Sequence, residues 1–286
     1  MIMNILIALL PAIGWGVMPL ITGKVGGSPV NQIFGIGAGT SIIGLTAFLI
    51  TRPSVNLTAF CFALLCGALW TIGQIGQFIS FKRIGVSNTF PLSTVFQLVG
   101  NSIIGVLIFG DWPGAKAKII GVIALIIVIV GALCTSVSDQ KGGKVSMKDA
   151  LFLLCTTVGF WIYSSFPNIP IIKAQSGTSM FLPEMLGILL GAVIYGFFAD
   201  RRSFTQREQY LNIIAGLVWG VAGLSYIYSA QANGNTSAFI WTQLSVVIAT
   251  FGGILILHEH KSHKEMIYTI AGIVLIVLGS IATSFA

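Results

Sequence analysis

Ten long apolar runs, separated by short polar breaks, constrain this chain more than any other feature of its sequence. A helix needs about 20 apolar residues to cross a bilayer, and windows of that length fit between the breaks. We place the spans at 2–23, 31–51, 57–82, 87–110, 116–136, 148–172, 178–200, 208–232, 236–257 and 265–284. Only 8% of the residues are charged, against roughly 25% in soluble domains. The sequence therefore predicts an all-α integral membrane protein with ten transmembrane helices in a lipid bilayer.

The two halves of the chain resemble each other at a nearly constant offset. The segment GALW at 67–70 resembles GLVW at 216–219, which lies 149 residues later, and Asp111 corresponds to Glu259, 148 residues later. A further match joins Gln32-Ile33-Phe34-Gly35 to Glu184-Met185-Leu186-Gly187. A steady register across several spans indicates two repeats of five helices each.

Five spans per half is an odd number, so the second half is predicted to enter the membrane in the opposite orientation, as in many secondary transporters. We predict a first repeat over 1–136, a central cytoplasmic loop over 137–147 and a second repeat over 148–286. Eleven of the fifteen Lys and Arg residues lie in the odd-numbered connections, and such residues favour the cytoplasmic side. Both termini are therefore predicted to be extracellular. Because the net charge of +7 resides mainly in these connections, we expect no nucleic-acid partner.

Two spans in corresponding positions carry residues that weaken a helix. The first contains PAIGWGVMPL at 11–20, and the sixth contains GFWIYSSFPNIP at 159–170. Proline removes a backbone donor and clashes with the preceding turn, and helices interrupted at matching places in both halves point to a substrate site. We predict that both helices are interrupted and line a cavity. The alternative is ordinary packing, because Pro and Gly are frequent in membrane helices.

Four segments of the chain carry a resemblance to a known family. They are IGWGVMPLITGK at 13–24, FPNIP at 166–170, FGDWPGAKAKIIGVIALIIVIVG at 109–131 and LHEHKSHKEMIYTIAGIVLIVLG at 257–279. Over essentially its whole length the chain resembles the glucose/ribose porter family of bacterial sugar uptake proteins, within the ten-helix drug/metabolite transporter superfamily. The resemblance implies a multi-pass protein of the bacterial cell membrane that imports glucose or a related sugar together with protons. No motif separates glucose from ribose.

A neutral sugar needs hydrogen-bonding groups for its hydroxyls and a flat apolar surface for its C–H face, which Asn, Gln, Trp and Tyr supply. On the third span Trp70, Gln74 and Gln77 share one helical face. The predicted sugar-binding residues are Trp15, Trp70, Gln74, Gln77, Gln97, Asn101, Trp161, Tyr163, Asn168, Trp219, Tyr226, Trp241 and Gln243. The alternative role for the polar members of this set is hydrogen bonding between helices.

Glu184 is the one acidic residue that lies well inside a predicted span. A carboxyl group in hydrocarbon is expensive, and burial favours its protonated form. We therefore expect Glu184 to carry the coupled proton, from the outer part of the seventh span. The alternative is a structural carboxyl group, hydrogen-bonded near the membrane interface after Pro183.

Other classes of function find little support in the sequence. The run from His258 to His263 matches no zinc-ligand spacing, and no nucleophile–base set or phosphate loop is evident, so we expect no metal, no cofactor and no enzymatic activity. The first span offers no carboxylate for a cation, and Lys24, Lys82 and Lys173 lie near span ends, which disfavours an anionic substrate. Export of small neutral metabolites or drugs is the alternative to sugar import. The oligomeric state is left open.

Overall fold

The prediction of ten membrane-spanning helices is confirmed. The computed structural model describes residues 2–137 and 145–286, so most of the predicted central loop, with Lys141 and Lys144, lies outside the described residues. The helices of the first five spans are Ile2–Val25, Pro29–Thr51, Leu57–Ile84, Val86–Ile104 and Gly114–Thr135. A π-helical segment, Gly105–Phe109, extends the fourth span.

The second half contains more broken helices than the first. Its helices are Met147–Thr156 and Val158–Ser165 for the sixth span, Gly177–Ala199 for the seventh, Arg207–Leu211 and Ile213–Asn233 for the eighth, Asn235–Thr242 and Leu244–Leu255 for the ninth, and His263–Thr283 for the tenth. The sixth span ends in a 3-10 turn, Phe166–Asn168, and a separate short helix, Pro170–Lys173, follows it. The span predicted over 148–172 therefore ends earlier than expected, at Asn168.

The prediction of matching interruptions in the first and sixth spans is right for the sixth and wrong for the first. In the sixth span Pro167 and Pro170 stand three residues apart, and the helix stops at Ser165. In the first span one continuous helix runs through Pro11 and Pro19. These two prolines lie about two turns apart, so each removes one intrahelical bond while the bonds around it remain.

The pairs of spans that pack together follow the sequence repeat. When each span of a packed pair is replaced by its counterpart five places along the chain, the result is again a packed pair. The first span packs on the eighth as the sixth packs on the third, and the second packs on the eighth as the seventh packs on the third. The fourth packs on the sixth as the ninth packs on the first. Three further packed pairs each consist of a span and its own counterpart: second with seventh, fourth with ninth, and fifth with tenth. Two equivalent halves produce such a pattern, and their opposite orientation stays a prediction.

Contacts between connections define one end of the bundle, which we call the odd-numbered end. The amide of Asn212, in the eighth span, donates to the carbonyl oxygen of Gly26, after the first span. Arg83, in the last turn of the third span, pairs with Asp149 at the start of the sixth. Residues of the first, third and ninth connections also line one cavity, so the Lys- and Arg-rich odd-numbered connections among the described residues lie on the same side of the molecule.

Glycines let the third and seventh spans approach each other closely. A Cβ atom added at Gly67 would overlap the carbonyl oxygen of Glu184, and one added at Gly187 would overlap that of Leu64. Helices in a membrane gain no hydrophobic stabilisation from associating, because lipid is as apolar as their side chains. Small residues at helix crossings allow the close packing that holds the helices together instead. This crossing holds Glu184 against the third span, beside the face that carries Trp70.

Candidate functional site

Six aromatic side chains from both halves of the chain meet at the centre of the bundle. The indole rings of Trp70 and Trp219, the counterparts in the sequence repeat, have centroids 4.9 Å apart. The others join them in a chain of ring contacts: Trp15 on Trp219 and Tyr226, and Phe160 and Tyr163 on Trp70, with centroids 5.6–6.3 Å apart. We call this set the aromatic cluster. The third span supplies Trp70, the eighth supplies Trp219 and Tyr226, the sixth supplies Phe160 and Tyr163, and the first supplies Trp15.

A chain of side-chain hydrogen bonds continues from the aromatic cluster along the third span. Gln74 donates from Nε2 to Gln77 Oε1 at 3.0 Å, and Gln77 donates from Nε2 to Ser93 Oγ at 2.9 Å. Gln97, one turn after Ser93, donates to the same hydroxyl oxygen at 3.2 Å. Gln74 and Gln77 are 2% and 4% exposed. This amide chain runs from Gln74 to Gln97 and joins the third span to the fourth, as the predicted shared face of Trp70, Gln74 and Gln77 requires.

Two predicted site residues present buried polar atoms that find no hydrogen-bond partner among the described residues. These atoms are Trp15 Nε1, a donor, and Asn101 Oδ1, an acceptor. Pro19 has no N–H, so the carbonyl oxygen of Trp15 also lacks its usual donor four residues on. Buried polar groups are paired in most proteins, and unpaired ones are therefore candidates for contact with a ligand.

Glu184 is joined directly to the aromatic cluster. The hydroxyl of Tyr163 donates to Glu184 Oε2 at 2.8 Å, and the ring of Tyr163 contacts that of Trp70. The thiol of Cys66, on the third span, also lies close to this carboxyl group. A change in the state of the Glu184 carboxyl group can therefore reach the ring stack through a single side chain.

The structure does not bring every predicted site residue into this assembly. Trp161 donates from Nε1 to the carbonyl oxygen of Phe96 at 3.0 Å, so its polar edge is used between the sixth and fourth spans. Asn168 is exposed at the end of the sixth span, and Trp241 is half-buried on the ninth. Gln243 donates to Phe239 and Thr242 within its own span. Among the described residues, no ring contact or hydrogen bond joins Asn168, Trp241 or Gln243 to the aromatic cluster.

Sequence reasoning missed two residues of the assembly and its surroundings. Phe160 stands next to Trp161 in the aromatic stretch of the sixth span, so it carried a signal of proximity. Gln32 aligned with Glu184 in the sequence repeat, yet it was not predicted to bind anything. Within the described residues, no three His, Cys, Asp or Glu side chains lie close enough together to hold a metal ion.

Ten apolar spans around a buried core of aromatic rings and amides define a multi-pass membrane protein with a polar interior. The chain belongs to the sugar transport protein family, whose model matches residues 6–286. It is therefore placed among sugar transporters rather than enzymes, as the sequence resemblance indicated.

Individual relatives match the chain from end to end. It is 46% identical over 281 residues to a provisionally named sugar uptake protein of Lactobacillus helveticus, covering 97% of this chain and 99% of that protein. It is 38% identical over 291 residues to a provisionally named ribose uptake protein, RbsU, of Latilactobacillus sakei, covering 99% and 98%. A solved crystal structure with 14% sequence identity shares the fold, with a TM-score of 0.61 over 99% of this chain and 97% of that one.

Proposed function

We propose that this protein imports a neutral monosaccharide, glucose or ribose, across the bacterial cell membrane by proton-coupled alternating access. Membership of the sugar transport protein family supports the class of substrate. The names of the relatives, sugar uptake and ribose uptake proteins, support import over export. The odd-numbered end is then the cytoplasmic end, and both termini are extracellular, because Lys and Arg concentrate in the odd-numbered connections.

The observation that carries the proposal is the continuity between the aromatic cluster and the amide chain. Trp70 supplies a flat apolar surface suited to the C–H face of a sugar, and Gln74 and Gln77 follow it on the same helical face. The unpartnered N–H of Trp15 offers a donor to a sugar hydroxyl. Apart from Glu184, this assembly carries no formally charged side chain among the described residues, which suits an uncharged substrate.

Alternating access is supported by the way the two halves meet. Trp70 and Trp219 come from opposite halves and contact each other at the centre. The fourth and ninth spans, which also pack together, both begin after a glycine of the same conformation, Gly85 with φ 79° and Gly234 with φ 80°. Other residues rarely adopt a positive φ, so these two helix starts are built alike. Rocking one half against the other would expose the cluster to each side in turn.

Proton coupling is supported by the contact between Glu184 and Tyr163. With the carboxylate ionised, Tyr163 donates its hydroxyl hydrogen to Oε2. A protonated carboxyl group becomes a donor itself, so the partner that Tyr163 prefers changes, and with it the position of the ring against Trp70. Loading a proton on Glu184 would in this way alter the surface on which the sugar rests.

The test is transport in proteoliposomes with radiolabelled glucose or ribose and an imposed pH gradient of either sign. We expect accumulation of sugar when the source side is acidic, collapse of that accumulation with an uncoupler, and loss of accumulation but not of sugar exchange in Glu184→Gln. Glu208→Gln, a carboxyl group replaced at the start of the eighth span, is the matched control and should behave as the wild type.

Each part of the proposal has its own contrary result. Failure of the wild type to carry either sugar would refute the substrate assignment. Flux that ignores the pH gradient would leave a uniporter. Accumulation by Glu184→Gln that still collapses with an uncoupler would remove Glu184 from the coupling step.

A further inference from the structure

A cavity of about 400 Å³ lies at the odd-numbered end, separate in its lining from the aromatic cluster. Its volume is within the range of small-molecule sites, roughly 300–1,000 Å³. It is lined by Pro19, Thr22, Gly23, Lys24, Gly26, Gln32, Phe81, Lys82, Val86, Leu257 and Glu259, from the ends of the first, third and ninth spans and the starts of the second and fourth. Phe81 follows Gln77 by one turn of the third span, so the cavity begins where the amide chain approaches this end.

Two buried polar residues line this cavity, Gln32 and Thr22, and the Thr22 hydroxyl already donates to the carbonyl oxygen of Pro19. The Gln32 side chain is 5% exposed, and its Nε2 donates to the carbonyl oxygen of Thr22 at 3.1 Å. A carbonyl can only accept, so this bond fixes which end of the amide is which, and Oε1 is the free atom. Gln32 Oε1 finds no hydrogen-bond partner among the described residues. Leaving a buried acceptor unpaired is costly, and a ligand hydroxyl would satisfy it.

The charged groups of the cavity are either already engaged or lie at its rim. Glu259 is already engaged, because its two carboxylate oxygens accept from the backbone N–H groups of Val86 and Ser87. Lys24 and Lys82 are exposed at the rim, where they can donate to a hydroxyl oxygen. The free group at depth is a neutral acceptor, and apolar side chains such as Phe81 and Leu257 line the rest. Hydroxyls beside a C–H surface match this arrangement.

We propose that this cavity is a second sugar site, occupied on the odd-numbered side of the membrane, in which Gln32 Oε1 accepts a hydrogen bond from a sugar hydroxyl. The inference rests on the proposed function and deepens it. The sugar passes from the aromatic cluster to a site whose buried acceptor is an amide oxygen, so release on this side does not require a proton to leave Gln32.

The experiment compares Gln32→Met with the wild type for glucose and ribose entering from each side of oriented proteoliposomes, at equal pH. The carbonyl oxygen of Thr22 keeps its hydrogen bond from the N–H of Gly26 at 2.9 Å. The substitution therefore leaves no backbone acceptor unpaired, and the variant should fold. Gln209→Met is the matched control, because Gln209 is equally buried at this end but does not line the cavity.

The expected result is a KM for sugar that rises about five-fold from the odd-numbered side only, the size of one neutral hydrogen bond. At equal pH the equilibrium of transport is the same for both proteins, so the ratio of kcat/KM in the two directions cannot change. The kcat from the odd-numbered side should therefore rise by the same factor as the KM from that side. Leu257→Trp, which fills the cavity from the ninth-to-tenth connection, should raise the same KM. An unchanged KM, or an equal change from both sides or in Gln209→Met, would overturn the second site. Absence of sugar transport by the wild type would instead overturn the proposed function.

Discussion

Glu259 ties the connection after the ninth span to the start of the fourth, and removing its charge should loosen the odd-numbered end. One carboxylate oxygen accepts from Val86 N–H at 2.5 Å and the other from Ser87 N–H at 2.8 Å. These are the first two residues of the helix Val86–Ile104, whose early N–H groups have no partner within the helix. The carboxylate also lies at the positive end of the helix dipole.

The expected cost of Glu259→Gln follows from these two bonds. The amide oxygen can keep one N–H, but the NH₂ group then faces the other, so one charge-assisted bond of about 1.5–3 kcal/mol is lost. The remaining bond loses its charge and the dipole interaction, worth about 1 kcal/mol. We therefore expect the free energy of unfolding to fall by about 3 kcal/mol.

The assay is denaturant titration of the purified protein in detergent, comparing Glu259→Gln with Asp149→Asn. Both variants remove one negative charge near the start of a helix at the same end of the bundle. Asp149 pairs with Arg83 at 3.5 Å, with side chains 23% and 50% exposed, and exposed pairs contribute about 0–1 kcal/mol. Equal, small losses in the two variants would refute the reasoning that the Glu259 contact is a strong one.

Two further predictions concern the crossing of the third and seventh spans and the amide chain. Gly67→Ala should lower the free energy of unfolding in the same titration by about 1–3 kcal/mol, because its Cβ would overlap a backbone carbonyl. Gly223→Ala is the control and should be nearly neutral, because its Cβ would meet only side-chain atoms at 3.3 Å or more. Equal losses in the two variants would contradict the close crossing. Gln77→Leu breaks the hydrogen bonds to Gln74 and Ser93. It should lower kcat/KM for sugar about ten-fold or more, since the buried amide of Gln74 is left unpaired. Unchanged transport would exclude the amide chain from the sugar path.

Much of the assembly was predictable because it depends on local pattern. Trp70, Gln74 and Gln77 share a face by helical spacing alone, and the structure adds the bond between the two glutamines. The repeat made Trp70 and Trp219 counterparts, and they prove to be in contact. Asn168 shows the limit of such reasoning: two nearby prolines end the helix before it, which leaves its side chain exposed.

The sequence by itself determined the ten spans, the two similar halves and the family, because the lengths of the apolar runs and the repeated motifs are local properties of the sequence. Only the tertiary structure decided which polar groups meet: Tyr163 with Glu184, Gln77 with Ser93, and Glu259 with a helix start 173 residues earlier. The physical reason is that lipid and protein interior are both apolar, so the pattern of a span does not reveal which side faces its neighbours. Helix rotation and close glycine crossings settle that, and they exist only in the packed bundle.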